Sequence, residues 1–132
     1  MRFIGPWIIG TRALMLEHAD QARTALAEGV AQIDAGCVGH NYFWFYKHAM
    51  ETFLKHGDLA EVEGYAQRLA HYTASEPTPW GSLFIERARA LAELTRDPDS
   101  RLARQQAIQL LETIRQTGHH EAGLALTPFL AA

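Results

Sequence analysis

Seven histidines (His18, His40, His48, His56, His71, His119 and His120) and the single cysteine Cys37 are the side chains of this 132-residue sequence best suited to chemistry. Imidazoles hold a metal when they converge from positions i and i+4 of one helix, or from facing helices. Here His48 and Glu51 stand three apart, and His40, His48 and His56 are spaced by eight. Glu-x-x-His, His-Glu-x-x-His and paired cysteines are absent, so the histidines read first as helix-end and surface residues. His18 and His56 fall where an imidazolium favours a helix C-terminus. Cys37, with His40 nearby, would be a nucleophile with its base. Its Ala35-Gly36-Cys37-Val38 setting reads instead as a tight turn, in which a free thiol packs as a small hydrophobe. A Gly-rich phosphate loop, Gly-x-Ser-x-Gly and a dinucleotide fingerprint are also missing. The expectation is a non-catalytic chain with no metal and no cofactor. The alternative is a small helical metal- or ligand-binding protein, or enzyme, using the histidines or Cys37.

Recognition is the other chemistry on offer. Tyr42-Phe43-Trp44-Phe45-Tyr46 puts five consecutive aromatics on one helical segment, where they point all round the axis and cannot share one neighbour. A helix between two others would bury most of them. One or two in an open groove would instead anchor a peptide, since tyrosine and tryptophan dominate interface energetics. The groove candidates are His40, Asn41, Tyr42, Trp44 and Phe45, with Asn41 reading first of all as a helix cap.

The elements that must position these residues repeat. Trp7, Trp44 and Trp80 lie 37 and 36 residues apart. Five of eight positions are shared between Glu28-Gly29-Val30-Ala31-Gln32-Ile33-Asp34-Ala35 and Glu63-Gly64-Tyr65-Ala66-Gln67-Arg68-Leu69-Ala70, and Ala107 to Leu110 echo Ala66 to Leu69. Apolar residues recur at three- and four-residue steps, as in Val62, Tyr65, Ala66, Leu69 and again in Ala103, Ala107, Leu110, Ile114. The 21 alanines against three valines favour helix over strand. Asp20, Asn41, Asp58 and Asp99 or Ser100 stand at N-cap positions. Gly36 and Gly57 suit left-handed C-caps, and Pro77 and Pro79 break the chain between units. Helices are expected near 6–17, 20–35, 42–56, 59–74, 80–95, 100–117 and 120–131.

A helix pair every 36 or 37 residues is close to the 34 of the tetratricopeptide repeat. The expected fold is therefore all-α, a tetratricopeptide-like α-α superhelix of about three helix pairs with a C-terminal capping helix from Gly118 to Ala132. Residues 1–132 make one helical-repeat domain. Tyr46, Ala49, Phe53, Val62, Ala66 and Leu69 take the packing positions. An ordinary bundle with accidental periodicity is the competing reading.

Bulk properties narrow the partners. Twelve Lys plus Arg against fifteen Asp plus Glu leave a formal charge of -3, with the ten arginines scattered from Arg2 to Arg115. No basic patch points to nucleic acid. No apolar run is long enough for a membrane span, and one cysteine permits no internal disulfide. A cytoplasmic location and a protein partner are expected, with a homo-oligomer held through the ends of the stack as a further option.

From Ala35 to Leu94 the chain carries Ala35-Gly36-Cys37-Val38-Gly39-His40-Asn41, then Trp44-Phe45-Tyr46, Gly57-Asp58, Tyr72-Thr73, Glu76-Pro77 and Pro79-Trp80. In these it resembles the C-terminal tetratricopeptide-like region of bacterial multidomain class III adenylate/guanylate cyclases. The resemblance implies a regulatory or scaffolding piece of a longer signalling protein. It carries over no catalytic residue, because the nucleotide-binding groups of those proteins belong to another domain.

Overall fold

The computed structural model describes residues 4–131, which form eight helices and no strand. They are α1 (Gly5–Met15), α2 (Ala19–Asp34), α3 (Asn41–His56), α4 (Leu59–Tyr72), α5 (Pro79–Arg96), α6 (Arg101–Thr117), α7 (His120–Leu124) and α8 (Thr127–Leu130). Helices pair in chain order: α1 with α2, α3 with α4, α5 with α6. The first helices of the pairs also lie side by side, α1 on α3 and α3 on α5. The chain is thus all-α and repeat-like, as the periodicity demands.

Local chemistry sets most boundaries. Asp58 accepts from the Glu61 amide and Ser100 from the Ala103 amide, capping α4 and α6. Thr78 caps α5 by accepting from Gly81, a cap the sequence reading overlooked. Two expected caps do not form. His18 occupies the N-cap of α2, so Asp20 lies inside the first turn and pairs with Arg23 at 2.9 Å. His18 accordingly begins α2 instead of ending α1. Asn41 is the first residue of α3, and its amide donates to the Val38 carbonyl at 2.9 Å. Gly57 takes φ +72° at the end of α3. The Asp58 amide there donates to the Phe53 carbonyl and the Gly57 amide to Leu54, a Schellman closure that makes the tight turn into α4.

The expected continuous helix over 120–131 is broken. Pro128 has no amide hydrogen to donate to the carbonyl of Leu124, four residues back, and its ring crowds that carbonyl, so the segment splits into α7 and α8. Leu126 is fully buried, and Phe129 and Leu130 pack on the cluster holding Leu110 and Ile114. Leu124, expected to help cover α6, is 68% exposed.

All six anticipated packing residues are buried: Tyr46, Ala49, Phe53, Val62, Ala66 and Leu69. Phe53 stacks on Tyr65 at 5.7 Å between centroids. Burial, helped by nearby carboxylates, pushes the Tyr46 and Tyr65 phenols up to about 12. Arginine–carboxylate pairs tie successive helix pairs together: Arg23 of α2 to Asp58 and Glu61, Arg87 of α5 to Glu51, and Arg89 of α5 to Glu63.

Candidate functional site

Helical spacing places Trp44, Lys47, His48 and Glu51 along one side of α3, and Trp80, Phe84 and Arg87 along the facing side of α5. Residues three and four apart are neighbours on a helix surface. Together with Leu14 of α1 and residues 118–122 they line an open groove of about 1150 Å³. Its floor is aromatic. Trp7 stacks on Trp44 at 5.8 Å, Phe43 meets Trp44 at 5.5 Å and Phe84 at 5.7 Å edge-on, and Trp80 stacks on Phe84 at 6.2 Å. His119 closes edge-on against Trp80 at 3.8 Å. Trp44 and Trp80 nonetheless remain 37% and 38% exposed.

Charge is arranged around this floor. The Lys47 ammonium lies 5.1 Å from the Phe84 ring centroid and 5.7 Å from that of Trp44. Burial lowers its pKa, with Arg87 pushing the same way and Glu51 and Glu121 opposing. Among the described residues no carboxylate comes within ion-pair distance of it. Glu51 is engaged by Arg87, which is itself buried and also donates through Nε to the Ala122 carbonyl at 2.7 Å. That bond ties the start of α7 across the end of the groove. Burial, reinforced by Lys47 and opposed by Glu51, lowers the His48 pKa and so favours the neutral imidazole.

Of the five groove candidates, His40, Tyr42 and Trp44 line this space. Asn41 is turned to Val38. Phe45 is fully buried, so it is a core residue and is removed from the groove. One helical step rotates it about 100° from Trp44, into the seam where it meets α1 and α2. An added Cβ on Gly29 would lie 2.1 Å from its ring, which shows how closely that ring rests on α2. The sequence reading gave the groove no Lys47, Phe84, Arg87 or Glu121, and named His119 and His120 only among the candidate metal- or ligand-binding histidines. A step of three or four from Trp44 leads to Lys47 and His48, and a step of seven to Glu51. The α5 and α7 contributions depend on packing.

The Cys37 thiol pKa is raised by partial burial, which keeps it protonated and weakly nucleophilic. Thr11 and His48 make a hydroxyl–imidazole contact at 3.4 Å, but Thr11 Oγ1 already donates to the Trp7 carbonyl at 3.0 Å. Among the described residues no three of His, Cys, Asp and Glu are grouped to hold a metal, and no helix is long and apolar enough to cross a membrane. Comparison with family models, with curated proteins and with solved structures finds no match to this chain.

Proposed function

We propose that this chain is a non-catalytic helical-repeat module, tetratricopeptide-like in its pairing of helices, whose groove holds an extended segment of a partner protein. The observation that carries the reading is the pair of half-open indoles, Trp44 and Trp80, on the floor of one groove beside the Lys47 ammonium. Aromatic rings give large contact area at low entropic cost, and an ammonium outside ion-pair distance of every described carboxylate offers a polar contact. Glu51 is engaged by Arg87, and the Thr11 hydroxyl donates to the Trp7 carbonyl. The likeness of Ala35 to Leu94 to the tail of multidomain nucleotide cyclases supports a regulatory role inside a larger protein. An immunoblot of source extracts tests that part, a band at 14.8 kDa counting against it.

The groove is tested by selecting random twelve-residue peptides against the full chain. Binders are then titrated by tryptophan fluorescence against wild type, Trp44→Ala and Trp80→Ala. Each substitution removes a half-exposed ring, so the fold survives, and affinity falls roughly tenfold or more. Peptides that bind the double variant as well as wild type, or a selection that enriches nothing, would refute the groove as the binding site.

A further inference from the structure

Of the lysines and arginines that are at least partly buried among the described residues, Lys47 alone has no carboxylate at ion-pair distance. Arg23 is held by Asp20, Asp58 and Glu61, Arg87 by Glu51, and Arg104 by Asp99 and the Pro98 carbonyl. Lys55, more exposed, donates to the Leu14 and Leu16 carbonyls at the end of α1. The Lys47 ammonium instead faces two rings, Phe84 at 5.1 Å and Trp44 at 5.7 Å. Ring quadrupoles offset only part of what burying a charge costs; a hydrogen-bonded anion offsets more. The Arg87 guanidinium lies 5.8 Å from the same Phe84 ring. Two cations therefore share one ring, with the single carboxylate of Glu51 between them and already bound to Arg87. The other carboxylate of the groove, Glu121, is exposed on α7.

We propose that the partner segment held in the groove carries an acidic side chain that binds Lys47, with an apolar or aromatic residue two positions away that packs on Trp80. This names the ligand class of the groove and rests on the groove being the peptide site. Charge complementarity selects the first residue, because the floor keeps one positive charge unmatched. A lysine or arginine of the partner placed there would meet two like charges. Ring geometry selects the second. Side chains two apart in an extended segment lie on one face about 7 Å from each other, and the Phe84 ring beside Lys47 stacks on Trp80 at 6.2 Å. A carboxylate seated among these rings is partly shielded from water, where a charge-assisted hydrogen bond is stronger than at an open surface.

The test selects random twelve-residue peptides on the full chain, displayed inside a longer chain so that no terminal carboxylate is offered. The expected binders share Asp or Glu with an apolar or aromatic residue two positions away. For one such peptide, Lys47→Met lowers affinity about tenfold. The helical spectrum is unchanged, since methionine keeps the stem and the ammonium makes no ion pair within the chain. Exchanging the peptide's acid for its amide costs wild type the same factor and costs Lys47→Met almost nothing, the two effects being one interaction. Salt weakens binding to wild type more than to Lys47→Met. Binders that need Trp44 and Trp80 but lack an acidic residue, or that bind Lys47→Met as tightly as wild type, overturn this proposal and leave the groove reading standing. Binders indifferent to both tryptophans, or a selection that enriches nothing, overturn the two together.

Discussion

Gly29 and Gly64 are matching letters in the repeated eight-residue stretch, yet replacing each with alanine should move stability in opposite directions. In a helix interior the exchange ordinarily gains about 1 kcal/mol, because glycine loses more backbone entropy on folding. At Gly64 a Cβ meets nothing within 4 Å, so that gain is expected almost in full. At Gly29 the new carbon falls 2.1, 2.7 and 3.0 Å from three ring carbons of Phe45. The ring is fully buried and set edge-on to Tyr46 at 5.3 Å and Tyr65 at 6.3 Å. It can yield only by shifting α2 or its aromatic neighbours. Overpacking of this kind costs about 1–3 kcal/mol, and the closeness of the approach favours the upper half. Subtracting the propensity gain leaves a net loss of about 1–2 kcal/mol, or a fall of roughly 3–8 °C in Tm for a chain of this size.

Urea denaturation followed by circular dichroism at 222 nm would measure both variants against wild type. A third variant isolates the cause. In a Phe45→Leu background the ring edge is gone, and most of the Gly29→Ala penalty should vanish as a coupling of about 1 kcal/mol. Gly29→Ala at or above wild-type stability would refute the placement of Phe45 on α2, and with it the seam between the first two helix pairs.

Three further outcomes follow from the same contacts. Phe53→Ala empties a fully buried position beneath Tyr65 and should cost about 3–5 kcal/mol in a denaturant melt; a loss under about 1 kcal/mol would mean that the helix register is wrong. Arg87→Met strands Glu51 and frees the Ala122 carbonyl, and a buried pair broken on one side costs about 3 kcal/mol, at the low end because Glu51 is partly exposed. Hydrogen exchange should show the amides of α7 losing protection first, and equal protection in both proteins would argue against the tether. His48 has a folded-state pKa below its unfolded value, so its neutral form is favoured in the fold. Its contribution is intact above the unfolded value near 6.5 and is lost as pH falls through the folded one. Melts between pH 8 and pH 5 should therefore decline less steeply for His48→Gln than for wild type, and parallel curves would refute the burial of that imidazole.

The fold was legible because burial follows helical spacing, but the most conspicuous identity was out of step with the packing. The five-of-eight match runs at a spacing of 35, whereas buried residues of α2 and α4 correspond at 36: Leu26 with Val62, Gly29 with Tyr65, Ile33 with Leu69. The looser third unit kept its register. Val62, Ala66, Leu69 and Thr73 correspond at a spacing of 41 with Ala103, Ala107, Leu110 and Ile114, all of them buried. Packing selects volume and face and not identity. Small residues such as glycine and alanine recur by composition in an alanine-rich chain, so a shared letter there says little. Tryptophans carried the true period because the stacking of Trp7 on Trp44 requires large rings at one register of successive helices.

The groove was legible only as far as a single helix could show it. The run from Tyr42 to Tyr46 had to divide between core and groove, since consecutive residues differ by about 100° in direction. Which residue went where depended on the side from which α1 and α2 approach, and Gly10 and Gly29 decide that. Both let α3 come close, drawing Phe45 inward and leaving Trp44 at the surface. The opposite wall was invisible to local reading because Arg87 meets Glu51 across 36 residues and Ala122 across 35. One arginine thus fixes α5 against α3 and carries α7 to the groove mouth. The repeat spacing that builds the stack also brings those distant groups within reach. A loss of stacking between α3 and α5 should therefore abolish the groove before it unfolds either helix pair.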